Sequence, residues 1–137
     1  MIQPKILKYL EKHAVSTLGT GGRFKLAAGV VRRGKLLAVG VNSYKTHPIM
    51  LNSGYRDGQH CLHAEADAIK KCIRMGYADI LSNCELYVVR VKHPDKFSDE
   101  YVHGLAKPCS GCNNIINEYN FKAVYYTTDE HGRLEVL

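Results

Sequence analysis

The sequence predicts an α/β protein: a three-layer α/β/α sandwich in which helices cover both faces of a central five-stranded mixed sheet. Three observations predict this class. Helix-type and strand-type apolar patterns alternate along the 137 residues. No repeat and no linker rich in Pro, Gly or Ser divides the chain, so a single domain over residues 1–137 is expected. A sheet with two apolar faces is then best buried beneath helices.

The chain begins with a predicted helix and a predicted hairpin. Residues 3–13 place apolar side chains at helical spacing. Pro4 suits the first helical turn, because the N–H that proline lacks has no helical partner there. Two short apolar runs, 24–31 and 35–41, follow and predict a β-hairpin that turns near Gly34.

The rest of the chain alternates irregular and apolar segments. Residues 42–60 are rich in Asn, Ser, Gly, Pro and Asp, and a stretch this long predicts a functional loop rather than an idle connection. The turn-forming run from Asp129 to Gly132 predicts a hairpin, so the last strand is expected to be antiparallel. The remaining predicted segments are helices over 63–75 and 109–119, strands over 85–91, 121–128 and 133–137, and an irregular stretch over 92–107.

Charge and cysteine content narrow the functional classes. Lys and Arg outnumber Asp and Glu by 19 to 13, a net charge of +6. That excess suits an anionic ligand such as a nucleotide or a nucleic acid. A basic surface that only contacts solvent would have the same net charge. The five cysteines are odd in number and residues 1–12 lack the apolar region of a signal peptide, so we expect a reducing, cytoplasmic location. No apolar run approaches the roughly 18–20 residues of a membrane span, so no membrane partner is expected.

Two short motifs have the residue types of a metal site: His63-Ala64-Glu65 and Pro108-Cys109-Ser110-Gly111-Cys112. Each begins a predicted helix. Cysteines three residues apart lie on one face of a helical turn and can bind one ion, with His63 as the third ligand. Three protein ligands and one open position are typical of catalytic zinc. Near that position Glu65 would take a proton from zinc-bound water and deliver it to a leaving group.

A structural zinc site is the alternative to a catalytic one. Cys61 lies two residues before His63, so these two residues with Cys109 and Cys112 can form a closed four-ligand cage. The protein would then be a non-catalytic zinc module. That hypothesis leaves Glu65 without a role.

The two motifs together resemble the signature of the zinc-dependent cytidine/deoxycytidylate deaminase superfamily. The order of helices and strands around both motifs is also similar to that fold. The resemblance implies Zn²⁺ as the cofactor, held by His63, Cys109 and Cys112. It implies that Glu65 is the proton shuttle, and not a ligand, while water replaces the amine at C4 of cytosine.

The resemblance also implies where a substrate binds. The backbone N–H of Ala64 and the carbonyl of Pro108 would hydrogen-bond the pyrimidine edge, and Asn42, which ends the second predicted strand, would contact the sugar. The segment after Asn42 is either a turn-rich surface loop or a substrate loop. In the second case its contacts are Tyr44 on the base and Lys45 and His47 at a 5′-phosphate.

The expected reaction is the deamination of cytidine, deoxycytidine or dCMP to the uracil product and ammonia, in pyrimidine salvage. The alternative substrate is a cytosine or adenine base in single-stranded DNA or in RNA, including tRNA; the net charge suits a strand, but no clear arginine-rich patch is present. An antiparallel last strand resembles the free-nucleoside cytidine deaminases, whereas deoxycytidylate and tRNA deaminases usually have a helix before a parallel last strand. Members usually form dimers or tetramers, so a homo-oligomer is expected.

Overall fold

A computed structural model describes residues 3–17, 25–43 and 63–137 of the chain. Every predicted helix and strand is present, with small shifts at the ends. None of the helices in these ranges is both long and apolar enough to span a membrane. In chain order the elements are α1 (Pro4–Ser16), β1 (Lys25–Arg32), β2 (Lys35–Val41), α2 (Ala64–Arg74), a 3-10 helix (Ala78–Asn83), β3 (Glu85–Lys92), β4 (Val102–Gly104), α3 (Ser110–Tyr119), β5 (Ala123–Thr127) and β6 (Leu134–Val136).

The sheet has the strand order β2-β1-β3-β5-β6. Strand β1 pairs antiparallel with β2 and β3, β3 pairs parallel with β5, and β5 pairs antiparallel with β6. The predicted mixed sheet and the antiparallel last strand are therefore confirmed. The predicted number of strands and the irregular stretch over 92–107 need a correction, because β4 pairs with the end of β3 as a sixth strand.

Strand β4 is held by a buried histidine rather than by its own apolar pattern. Nε2 of His103 lies 2.9 Å from Oε1 of Glu11 on α1, and its Nδ1 accepts the N–H of Gly132 at 3.1 Å. The backbone N–H of His103 in turn donates to Nδ1 of His131 at 3.0 Å. Partners this distant along the chain explain why three residues form a strand that local sequence does not predict.

The two faces of the sheet are covered by different helices, which gives the three predicted layers. In β3 the side chains alternate: Tyr87 and Val89 pack with α1, and Leu86 and Val88 pack with α2 and α3. The buried residues that α1 contributes are Ile6, Leu10 and Ala14. On the other face the helices contribute Ala64, Ala66, Ala68, Ile69, Cys72, Cys112, Ile115 and Ile116.

Helix α2 lies unusually close to β2. Gly40 faces the backbone of α2 and has no room for a side chain. The buried Asp67 accepts the N–H of Val41 through Oδ2 at 3.0 Å, and Nζ of Lys71 donates to the carbonyl of Val39 at 3.0 Å. These contacts set the position of the first turn of α2 relative to the end of β2.

The Gly40→Ala substitution should destabilise the protein by about 1–3 kcal/mol. Its methyl group would overlap the backbone nitrogen of Ala68 and the backbone oxygen of Ala64, which cannot move independently of the helix. The free energy of unfolding, measured by urea denaturation, checks this.

Gly104→Ala is the matched control for Gly40→Ala. The nearest atoms to its added methyl group belong to the flexible Arg90 side chain, the closest at 3.1 Å. We expect a clearly smaller loss of stability there. Equal losses would contradict a tight approach of α2 to β2.

Candidate metal centre

Each motif lies where a helix begins, as predicted. His63 is the N-cap residue of α2 and Cys109 is the N-cap residue of α3, both with extended backbone. Their carbonyls accept the first helical hydrogen bonds, from Asp67 at 2.9 Å and from Asn113 at 2.8 Å. Neither side chain caps its own helix, so the imidazole and the thiol face each other across the space between the two helices.

The three predicted ligands come together in one cluster. Nδ1 of His63 lies 3.4 Å from Sγ of Cys109 and 3.3 Å from Sγ of Cys112. A nitrogen and a sulfur bound to one tetrahedral zinc ion lie about 3.5 Å apart, since the bonds are about 2.0–2.1 and 2.3 Å long. All three ligand atoms lie within 4.8 Å of one another. The donor set and its spacing therefore fit zinc.

Contacts among the three groups shift their pKa values. The hydrogen bond with Cys112, and next the contact with His63, lowers the pKa of Cys109 against the effect of burial. The same sulfur–sulfur contact, together with burial, raises the pKa of Cys112. The pKa of His63 is raised mainly by its contact with Cys109. The amide dipoles at the two helix N-termini also favour thiolate, the form that binds zinc.

Glu65 is the second residue of α2 and lies beside the cluster. Only 4% of its surface is exposed. Burial raises the pKa of its carboxyl group, while its own backbone N–H and the charge on His63 oppose that shift. The carboxyl also contacts the thiol of Cys112. A buried carboxyl group with a raised pKa, next to a metal site, is suited to accept and return a proton.

The predicted substrate contacts differ in how much the structure describes of them. Asn42 is buried and its Oδ1 accepts the N–H of Leu26 at 3.0 Å, which ties the start of β1 to the end of β2. Ala64 and Pro108 are buried next to the ligands His63 and Cys109. Outside the described residues lie Tyr44, Lys45 and His47, and also Cys61, the fourth ligand of the alternative cage.

Asp67 supports the site, and sequence reasoning missed it. Its carboxylate is buried, bonds the end of β2, and forms ion pairs with Lys70 at 3.4 Å and Lys71 at 3.1 Å. The available signal was an acidic residue followed by lysines three and four positions later, which is the spacing of ion pairs on a helix. By holding α2 against β2, Asp67 positions His63 and Glu65.

The comparisons with known proteins agree with this geometry. A family model described as the cytidine and deoxycytidylate deaminase zinc-binding region matches residues 3–128. A search of curated proteins finds no significant match.

Solved structures with the same fold are deaminases of several kinds. A cytidine deaminase from Burkholderia pseudomallei has a TM-score of 0.67 at 19% identity, over 100% of this chain and 92% of that one. A dCMP deaminase from the cyanophage S-TIM5 has a TM-score of 0.58 at 26% identity, over 93% and 86%. A guanine deaminase from Bacillus subtilis has a TM-score of 0.54 at 26% identity, over 93% and 65%.

The family match includes both metal-binding motifs and every described element up to β5. The structure brings the imidazole and the two sulfurs of those motifs within range of one zinc ion. The chain belongs to the cytidine and deoxycytidylate deaminase zinc-binding family.

Proposed function

We propose that residues 1–137 form one catalytic domain that deaminates a free cytosine nucleoside or nucleotide: cytidine, deoxycytidine or dCMP. The products are the corresponding uracil compound and ammonia. The observation that supports this most is the buried carboxyl group of Glu65 beside Nδ1 of His63 and the sulfurs of Cys109 and Cys112. A purely structural zinc site has no use for a buried, proton-binding group at that place.

The residues of the site suit a hydrolytic substitution at C4 of cytosine. Bound zinc supplies a coordinated water with a pKa of about 7. Glu65 would accept one proton from that water as its oxygen adds to C4 and donate it to N3; it would then carry the proton of the resulting C4 hydroxyl to the amine, so that the C4–N bond breaks, ammonia leaves and C4 becomes a carbonyl. The backbone N–H of Ala64 and the carbonyl of Pro108, both next to ligand residues, would orient the base through its polar edge.

Two observations bear on whether the substrate is a nucleoside or a nucleotide. The antiparallel β6 supports the free-nucleoside branch, in line with the sequence expectation. The cyanophage dCMP deaminase, in contrast, has been solved in complex with dCMP and dUMP, which supports a nucleotide. We therefore include both, with Lys45 and His47 as contacts to a 5′-phosphate, Tyr44 against the base and Asn42 at the sugar.

A base within single-stranded DNA or RNA is the second candidate substrate. A cavity of about 530 Å³, at the end of the sheet where β3 ends and β1 begins, includes Lys25, Lys92, Lys96 and Tyr101 in its lining. Cations and an aromatic ring are the usual means of binding a strand. However, Lys92 forms an ion pair with Asp129 at 2.8 Å and Lys25 donates to a backbone carbonyl at 3.2 Å, so fewer charges are available to phosphates.

Location and assembly stay predictions of the sequence. Zinc binding needs Cys109 and Cys112 to be reduced, which supports a cytoplasmic location. A homo-oligomer, dimer or tetramer, is expected, and sedimentation velocity on the zinc-loaded protein measures it.

A substrate panel tests the proposed reaction. We expect the zinc-loaded protein to release ammonia from at least one of cytidine, deoxycytidine, CMP and dCMP. Guanine, adenosine and a cytosine-containing single strand should not be converted. Turnover confined to the strand, or to a purine, would contradict the proposal.

Glu65→Gln is the matched variant for the same assay. It removes the proton acceptor but keeps the size of the side chain, so activity should fall by about 10²–10⁴-fold while zinc and fold are retained. Glu118→Gln, at an exposed position of α3, should leave activity unchanged. Full activity in Glu65→Gln would exclude the proposed proton shuttle.

Zinc content distinguishes the catalytic site from the four-ligand cage. His63→Ala and Cys112→Ser should reduce bound zinc from about one ion per chain to nearly none, because each removes one of only three protein ligands. Atomic absorption on the purified variants measures this. Cys61→Ser should keep both zinc and activity; loss of zinc in that variant would favour the structural cage.

Lys45→Ala distinguishes a phosphate contact from a plain surface loop. If Lys45 binds the 5′-phosphate, the KM for dCMP should rise by about tenfold or more, since a charged hydrogen bond is lost, while the KM for deoxycytidine stays the same. Steady-state kinetics on both substrates measure it, with Lys12→Ala, an exposed cation of α1, as the control. Equal changes for both substrates would rule out a phosphate role.

A further inference from the structure

A second cavity lies at the end of the sheet opposite the metal centre. Its volume is about 490 Å³, and it is lined by Arg32, Arg33, Ser82, Asn83, Glu85 and Lys122. Strand β1 begins at the end of the sheet that lies near the metal centre, where Asn42 ties it to the end of β2. It ends at Arg32, which lines this cavity. Its eight residues place the two ends of β1 roughly 23 Å apart. The cavity is therefore separate from the zinc site.

The lining of this cavity has an excess of positive charge. Among the described residues, Arg32, Arg33 and Lys122 form no ion pair. Of the described lining residues, only Glu85 has a carboxylate, and it accepts the hydroxyl of Tyr87 at 3.0 Å. Three cations against one acid create a local potential that attracts anions.

The side chain of Arg32 has one N–H donor for which the described residues supply no acceptor. Its Nε is buried and has no hydrogen-bond partner among the described residues. Buried N–H groups almost always have an acceptor, so an acceptor supplied by a ligand would account for this one. Burial raises the pKa of the nearby Cys84 thiol, and the positive charge of Arg32 opposes that shift.

Arg33 adopts a backbone conformation that arginine rarely takes. Its φ is 51°, and Gly34 after it has a φ of 74°, so both central residues of the β1–β2 turn are left-handed. Asn, Asp or Gly is the usual first residue of such a turn, because a larger side chain is strained there. Residues in such conformations are concentrated at functional sites, and this turn presents a second arginine at the cavity.

The walls of the cavity are held by backbone hydrogen bonds. Val31 pairs with Glu85 across β1 and β3. The N–H of Lys122 donates to the carbonyl of Cys84 at 2.9 Å, and the N–H of Cys84 donates to Leu81 at 3.0 Å. The backbone positions of the three cations are therefore fixed before any ligand arrives, which lowers the entropic cost of binding.

We propose that this cavity binds the phosphate group of a small phosphorylated molecule. The planar guanidinium groups of Arg32 and Arg33 match phosphate oxygens in geometry, and Lys122 adds a point charge. A cavity of about 490 Å³ accommodates a ligand larger than phosphate alone. The site goes beyond the deaminase reaction, because none of its residues contributes to the metal centre.

Amide chemical shifts of the ¹⁵N-labelled, zinc-loaded protein locate the binding. Titration with inorganic phosphate should shift, in a saturable way, the signals of residues 32–34, 82–85 and 122. No shifts, or shifts confined to the surroundings of His63 and Cys109, would overturn the proposal. A parallel titration compares glycerol 3-phosphate with a single-stranded oligonucleotide; tighter binding of the strand at these residues would mean a nucleic-acid surface and would also overturn it.

Two variants, one that removes a positive charge and one that removes a negative charge, test the role of the charges that line the cavity. Arg33→Asn relieves the backbone strain and removes a cation, so it should stabilise the fold and weaken phosphate binding by about tenfold. Glu85→Gln removes the one acid and should strengthen binding several-fold, because Gln still accepts from Tyr87. Lys12→Asn, an exposed cation on α1, should change neither property. Equal weakening by Arg33→Asn and Lys12→Asn would reduce the effect to net charge and contradict the site. No gain in Glu85→Gln would contradict binding of the anion next to this carboxylate.

Discussion

The close approach of α2 to β2 is the constraint on which the metal centre depends. His63, a candidate ligand, is the N-cap residue of α2, and the first turn of the helix includes Glu65. A shift of the helix by one residue would move these groups by about 1.5 Å and rotate them by about 100°. Gly40 permits the contact, and Asp67 fixes its register by bonding Val41. Two residues outside the metal-binding cluster thus hold in place the helix that carries His63 and Glu65.

The charges of the site explain why one carboxyl group can be buried there. Cys109 and Cys112 lie in a cluster that could bind zinc, and two thiolates would balance the charge of one zinc ion. Burial raises the pKa of Glu65 above its ordinary value. A carboxyl group in that condition gains and loses a proton at modest cost, which is what a shuttle between water and a leaving amine requires.

How much could be predicted from sequence depends on how local the signal is. The apolar patterns that predict α1 and β3 can be recognised within a few neighbouring residues, and so can the spacings of the two metal-binding motifs. The helix, the strand and the clustering of the motifs that these patterns predicted were confirmed. Strand β4 depends on contacts of His103 with Glu11 and Gly132, far away along the chain. Asp67 likewise binds the N–H of Val41, 26 positions before it. Such partners are defined only once the sheet is assembled, so the sequence around His103 and Asp67 does not identify the distant groups that they bind.

The net charge of +6 fits an anionic ligand and a solvated surface equally well until the side chains are placed. Several cations towards the metal end have partners within the fold: Lys71 pairs with Asp67 and Lys92 with Asp129. At the opposite end, the cations around the second cavity have none within the described ranges, and one guanidinium nitrogen, on Arg32, is buried without an acceptor. A solvated surface would leave that nitrogen in water. Its burial beside a lined cavity favours an anionic ligand at this end of the sheet.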